Sequence, residues 1–233
     1  MLESHLENKM NDKNLRQSSR LLWSSWESGE KISTLPKQCR PGSKLDAYKI
    51  QKHVTEISGS EKVGWKIAAT SKAGQKHIGV TGPLAGSILK KKIKNSGAKI
   101  SINDNVMKVA ELEFGFRMAA NLPKKGVDYK KEEVLEAVDY LVPTIEIPDS
   151  RYKDFITVGE EQLIADNACA GWLFIGTPYQ KEITTKTDLV NHRVTGYIDN
   201  EDIPIEGIGS NVLGDPVVAL TWIANELTRY DRF

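Results

Sequence analysis

Apolar residues recur at helical spacing over residues 15–58. Leu15, Leu22, Trp23 and Trp26 form one stripe, and Leu45, Tyr48, Val54 and Ile57 form another. The stretch KISTLPKQCRPGS lies between them and reads as a connector within one fold, because Gly, Pro and Ser punctuate it. From about 61 to 120 the period shortens to two. VGWKIAAT sets Val63, Trp65, Ile67 and Ala69 against Gly64, Lys66, Ala68 and Thr70, as a strand does. A helix is expected over about 130–141, with Val134, Leu135, Val138 and Leu141 on one face and Asp128 as its cap. A strand over 142–149 (VPTIEIPD), strands near 170–176 and 192–199, and a last helix over about 215–229 carrying Val217, Leu220, Ile223 and Leu227 complete the pattern. No internal repeat or low-complexity segment interrupts it. The order of elements predicts an α+β protein, with a helical region at 1–60 and a strand-rich region at 61–233 in one compact unit.

The segment VAELEFGF (109–116) places two glutamates on one side of a strand. Side chains alternate faces, so Ala110, Leu112, Phe114 and Phe116 oppose Val109, Glu111, Glu113 and Gly115. The two carboxylates then stand roughly 6–7 Å apart along the strand. On the 142–149 strand, Thr144 and Glu146 share a face opposite Ile145 and Ile147. Should these strands meet, three like charges converge, and they repel one another unless a cation lies between them. Three carboxylates offer only hard oxygen donors, which suit Mg²⁺ or Mn²⁺ and leave positions open for water and a chelating substrate. The same residues also fit a half-exposed strand with a solvated acidic face, since E-x-E by itself matches many surface strands.

Composition narrows the field of partners. The chain has 233 residues, 39% hydrophobic, enough for a real core. Lys+Arg 32 against Asp+Glu 31 gives a net charge of +1, so the overall balance points to neither nucleic acid nor membrane. Cys39 and Cys169 are far apart and lack metal-ligand spacing, which suits free thiols in a reducing compartment. The start, MLESHLENKMNDKNLRQ, lacks the basic-then-apolar order of a secretory signal. The longest apolar run, AGWLFIG (170–176), falls short of the roughly 18 residues of a membrane span. Cytoplasm is therefore the expected location. LKKKIKN (89–95) has no interleaved aromatics and reads as a solvated turn. Ile57-Ser58-Gly59-Ser60 lacks the context of a phosphate loop, and the five tryptophans read as core.

Several segments together carry a resemblance. GWKIAATSKAGQKHIGV, VAELEFGF, EEVLEAVDYLVPTIEIPDSR, IADNACAGWLFIG and GSNVLGDPVVALTWIANEL occur in an order that resembles the 2-keto-4-pentenoate hydratase family of the fumarylacetoacetate hydrolase superfamily. The resemblance runs from about residue 15 to the end. It implies N-terminal helices packed on a curved mixed β-sheet or roll with a metal pocket at its centre. By the same resemblance, the E-x-E pair and the E-I-x-D-S-R glutamate, here Glu111, Glu113 and Glu146, hold Mg²⁺ or Mn²⁺. The G-x-K-I lysine, Lys66, assists at the active site, and Asn167 of ADNACAG contacts substrate. Burial beside a dication is expected to lower the Lys66 pKa. The implied reaction adds water to 2-hydroxypenta-2,4-dienoate or a close relative and gives a 4-hydroxy-2-oxo acid. A homo-oligomer is implied, with association with a related decarboxylase.

Three departures bear on that reading. Pro83-Leu84-Ala85-Gly86 stands where many such hydratases carry P-D-x-G, so Leu84 replaces an acid/base aspartate and leaves His77 or a metal-bound water to substitute. Cys169 replaces the small hydroxyl residue usual in ADNAS and reads as a buried small residue. Family members continue past the last helix into closing strands, whereas this chain reaches only LTRYDRF. A shortened chain with unpaired strand edges is therefore expected. Two alternatives follow: a 4-oxalocrotonate-type 2-oxo acid decarboxylase, favoured slightly by Leu84, and a non-catalytic binding or scaffold homologue.

Overall fold

The structure is a computed structural model that describes residues 10–179, 187–199 and 203–231. Helix α1 (Asp12–Ser28) begins where the Asn11 side chain accepts the Asn14 N–H at 2.9 Å. It ends at Gly29, whose φ of 80° needs a residue without Cβ and lets its N–H bond the Ser25 carbonyl. Helix α2 (Lys44–Ile57) is capped by Ser43 and packs on α1. Leu15, Leu22 and Trp23 meet Tyr48, Ile50 and Val54 at a buried seam, whereas Leu45 and Ile57, expected on the same stripe, are each 41% exposed. They sit in the first and last turns of α2.

Strand β1 (Lys62–Ala68) is joined through a short helix α3 (Lys72–His77) to β2 (Leu84–Leu89), and the two pair antiparallel. A four-stranded mixed sheet contains β3 (Ile93–Asn95), β4 (Glu111–Met118), β5 (Val138–Ile147) and β6 (Trp172–Ile175), in the order β3-β6-β5-β4. Its β3–β6 pair is parallel and the others antiparallel. Short helices α4 (Lys131–Glu136) and α5 (Glu160–Ala165) flank β5, and β7 (Arg193–Gly196) with β8 (Ile205–Ile208) forms a separate ribbon. Helix α6 (Pro216–Arg229) starts at Asp215, which accepts the Val217 N–H at 2.8 Å, with proline in the first turn. One buried cluster joins Leu22, Tyr48, Leu84, Leu163, Ile164 and Ile223, so helices and sheets share a core across both regions expected from sequence.

Three expectations are corrected. The helix expected over 130–141 stops at Glu136, and Val138 and Leu141 belong to β5, where they pair with β4. Val138, Tyr140 and Val142 favour a strand, and cross-strand pairing outweighs the helical spacing of a few apolar residues. Asp128 does not cap α4: Lys130 takes that position and its N–H is accepted by Glu133 at 2.8 Å. The basic run at 89–95 is not merely a solvated turn. Folding sets Lys91 over Trp23 at 3.9 Å, and Lys92 and Lys94 over Trp172 at 4.3 and 4.8 Å. Of the tryptophans, Trp23 is buried and Trp26, Trp65, Trp172 and Trp222 are partly so. Cys39 and Cys169 are both free and buried, and burial pushes the Cys169 thiol up to about 12. No described helix is long and apolar enough to cross a membrane.

Candidate active site

Strands β4 and β5 invert the usual polarity of a sheet at the end where the glutamates lie. Leu112 and Ile145 are 37% and 40% exposed, while Thr144 and Glu146 on the opposite face are buried. The acidic face is therefore the inner face, which removes the solvated-surface alternative. Cross-strand register sets Glu111 directly opposite Glu146 and Glu113 opposite Thr144. One carboxylate oxygen from each of Glu111, Glu113 and Glu146 lies within 4.8 Å of the others. Periodicity had put the glutamates on faces; register put the faces together.

Lys66 reaches this cluster from β1. Its Nζ stands 3.0 Å from Glu146 Oε2 and donates to the Ala168 carbonyl at 3.0 Å. An ammonium carries three N–H groups, so a third is left for a ligand. One ammonium faces three carboxylates, and the imbalance shows in their acidities. Burial, then Glu146 and Glu111, pushes the Glu113 carboxyl up to about 8. Glu146 is also raised, first by burial, with Lys66 opposing. Burial works against the Lys66 charge, but Glu146 and Glu111 outweigh it, and its pKa stands above the ordinary lysine value. This differs from the lowering expected beside a dication: in the metal-free cluster the neighbouring charges are negative.

The carbonyl that holds Lys66 comes from an unusual turn. Asn167, Ala168 and Cys169 all have positive φ, at 56°, 51° and 57°, a conformation that costs non-glycine residues energy and needs outside support. Asn167 supplies that support. Its amide donates to the Ser87 carbonyl at 2.8 Å and its side-chain oxygen accepts the Ser87 N–H at 2.6 Å, as a strand residue would. Gly86 permits the approach, because a Cβ there would stand 2.3 Å from the Asn167 carbonyl oxygen. The side chain of Asn167 is thus committed to β2, next to the cluster. Sequence reading missed the Ala168 carbonyl and the Ser87 pairing. A run of small residues, NACAG, was their only trace.

A cleft of about 920 Å³ opens onto Lys66, Glu113, Thr144 and Glu146, with apolar walls that include Val142, Leu173, Ile175 and Leu220. His77 does not join the cluster; it is exposed and lies edge-on to Phe155. Leu84 is 1% exposed at the start of β2 and serves as core.

Hard oxygen donors, a buried Glu146 beside half-buried Glu111 and Glu113, and an excess of negative charge fit a divalent cation held by these three residues. No protein-family model matches the chain. It is 31% identical over 193 residues to a 2-hydroxypent-2,4-dienoate hydratase of Pseudomonas putida, covering 79% of the chain and 82% of that protein. It is 32% identical over 188 residues to a 2-hydroxyhexa-2,4-dienoate hydratase of Comamonas testosteroni, covering 78% and 69%. Among solved structures, the 4-oxalocrotonate decarboxylase of Pseudomonas putida G7, complexed with magnesium and adipate, superposes with a TM-score of 0.82 at 24% identity. The match covers 95% of this chain and 83% of that one.

Proposed function

The chain belongs to the 2-keto-4-pentenoate hydratase family and is a lyase, and from that premise we propose that it is a divalent-metal-dependent hydratase of 2-hydroxypenta-2,4-dienoate-type acids, yielding 4-hydroxy-2-oxo acids. The observation that carries this reading is the convergence of Glu111, Glu113 and Glu146 on the inner face, with Lys66, among the described residues, against them. These three residues would hold Mg²⁺ or Mn²⁺. Bound there, the cation supplies Lewis-acid polarisation of the substrate's C1 carboxylate and C2 oxygen.

The chain's own residues do the rest. Lys66, fixed by Glu146 and the Ala168 carbonyl, directs its remaining N–H to the C2 oxygen. Once the dienol has ketonised to the 2-oxo-3-enoate, with its hydroxyl proton replaced by one at C5, C4 is electrophilic; water attack there returns electrons to the C2 oxygen, and the proton the water gives up is balanced by one gained at C3. An ammonium already in place meets that charge without reorganising. Asn167 enters as a positioning residue: by holding Ser87 it holds the turn that presents Ala168. The apolar cleft walls receive the hydrocarbon chain of the substrate.

The apolar Leu84 favours a second reading, decarboxylation of a 2-oxo diacid such as 4-oxalocrotonate, because no acid/base side chain occupies that position. Release of CO₂ from the diacid against hydration of the monoacid separates the two. The metal reading is tested by titrating Mg²⁺ or Mn²⁺ with oxalate, a mimic of the 2-oxo acid, into the wild-type chain and Glu111→Gln. Metal-dependent oxalate binding that disappears in the variant is expected, and no binding to the wild-type chain would sink it.

A further inference from the structure

The face of β4 and β5 that carries the acidic cluster continues past it. Register pairs Glu111 with Glu146, Glu113 with Thr144, Gly115 with Val142 and Arg117 with Tyr140. Because side chains alternate, these pairs follow one another on a single face. The face thus runs from carboxylates, through an apolar step, to a guanidinium and a phenol. Glu113, Gly115, Val142, Arg117 and Tyr140 all line the one cleft. At the middle step, a Cβ on residue 115 would stand 2.9 Å from Val142 Cγ1, so glycine lets Val142 close down over the floor.

Arg117 is exposed and, among the described residues, joins none of the ion pairs. Folding therefore makes little use of its charge, and a solvated surface arginine is the plain alternative. Its place argues for more. Glu113 and Arg117 are four residues apart on one strand, roughly 13 Å between Cα atoms, and their side chains shorten that gap to about a six- or seven-carbon chain. A guanidinium presents a planar fork of donors matched to a carboxylate, and a phenol adds another donor beside it.

Resting on the metal-site reading above, we propose that Arg117, with Tyr140, is a specificity-determining residue that recognises a second carboxylate at the far end of the substrate. Within the dienoate-type acids proposed above, the chain then prefers those that carry a second, terminal carboxylate to monocarboxylates of equal length. Calorimetric titration of 2-oxoadipate and 2-oxohexanoate, each with Mg²⁺, into the wild-type chain, Arg117→Met and Arg117→Lys tests this, with oxalate as a ligand that reaches only the acidic cluster. The expected result is about tenfold tighter binding of the diacid by the wild-type chain, the scale of one charge-assisted contact. The ratio should fall toward one in Arg117→Met, survive partly in Arg117→Lys and shrink with added salt. Oxalate binding without a diacid preference, or a preference that persists in Arg117→Met, overturns the inference alone. Failure of oxalate and both oxo acids to bind overturns the metal-site reading and this inference with it.

Discussion

Two buried charged centres of this molecule lie close in sequence and differ in kind. At Arg151–Asp166 one cation meets one anion, both 1% exposed. Arg151 donates to the Asp166 carboxylate, to its main-chain oxygen and to the Ala170 carbonyl, while Asp166 also accepts from the Ser150 hydroxyl at 2.7 Å. Trp26 covers the guanidinium at 4.3 Å. At Glu111, Glu113 and Glu146, three carboxylates share one lysine. The first centre is internally complete and locks the 150–151 segment against the 166–170 turn. The second is balanced only with charge from outside. A deficit of charge, more than charge itself, marks where a ligand belongs.

The sharpest way to break the comparison is to unbalance the complete centre. Asp166→Ala leaves Arg151 buried without its partner and should cost about 3–5 kcal/mol in chemical denaturation. Glu146→Gln should leave the fold intact by circular dichroism yet lower turnover on the preferred substrate by at least about 10²-fold, comparable to losing one preorganised charge contact. A result in which both variants lose stability alike would erase the distinction drawn here.

A smaller effect of opposite sign is expected for Glu113→Gln in chelator, which should raise stability by about 1 kcal/mol while abolishing metal binding. The pH dependence follows the same cause. The Glu113 carboxyl has a folded-state pKa of about 8 against an ordinary value of 4.5, so between these values the native state holds a proton the unfolded chain has released. Stability of the metal-free protein should therefore fall as pH rises from about 4.5 to about 8, and the Gln variant should show a shallower slope, since Glu146 is raised as well. Mg²⁺ added at pH 7 should release a proton, visible as a binding enthalpy that changes with the buffer's ionisation enthalpy.

The smallest effect belongs to a partly exposed pair. Burial opposes the Glu160 charge, but Lys44 and Thr81 outweigh it and hold its pKa below the ordinary value. Its contribution is present above pH 4.5 and lost as pH falls through the depressed value. Lys44→Met should cost at most about 1 kcal/mol and less in high salt.

The long periodic helices were legible in the chain because their stripes and caps are local: Asn11, Ser43 and Asp215 act within three residues of themselves. The boundary between α4 and β5 was not. Val138 and Leu141 fit a helical stripe as well as a strand, and only β4 as a partner decided between them. The lysine run misread in the same way, since its tryptophans come from residues 23, 26 and 172.

The sequence by itself determined the residue types of the site, the strand faces that carry them and the apolar stripes that pull the helices inward, because each depends on spacing along one segment. Only the tertiary structure decided that the acidic face points inward, that Glu111 lies opposite Glu146, that Asn167 spends its amide on Ser87, and that Arg117 ends the track Glu113 begins. Those are facts of register and of contact between distant segments, and a one-residue slip of β4 against β5 would undo them without changing a letter of the sequence.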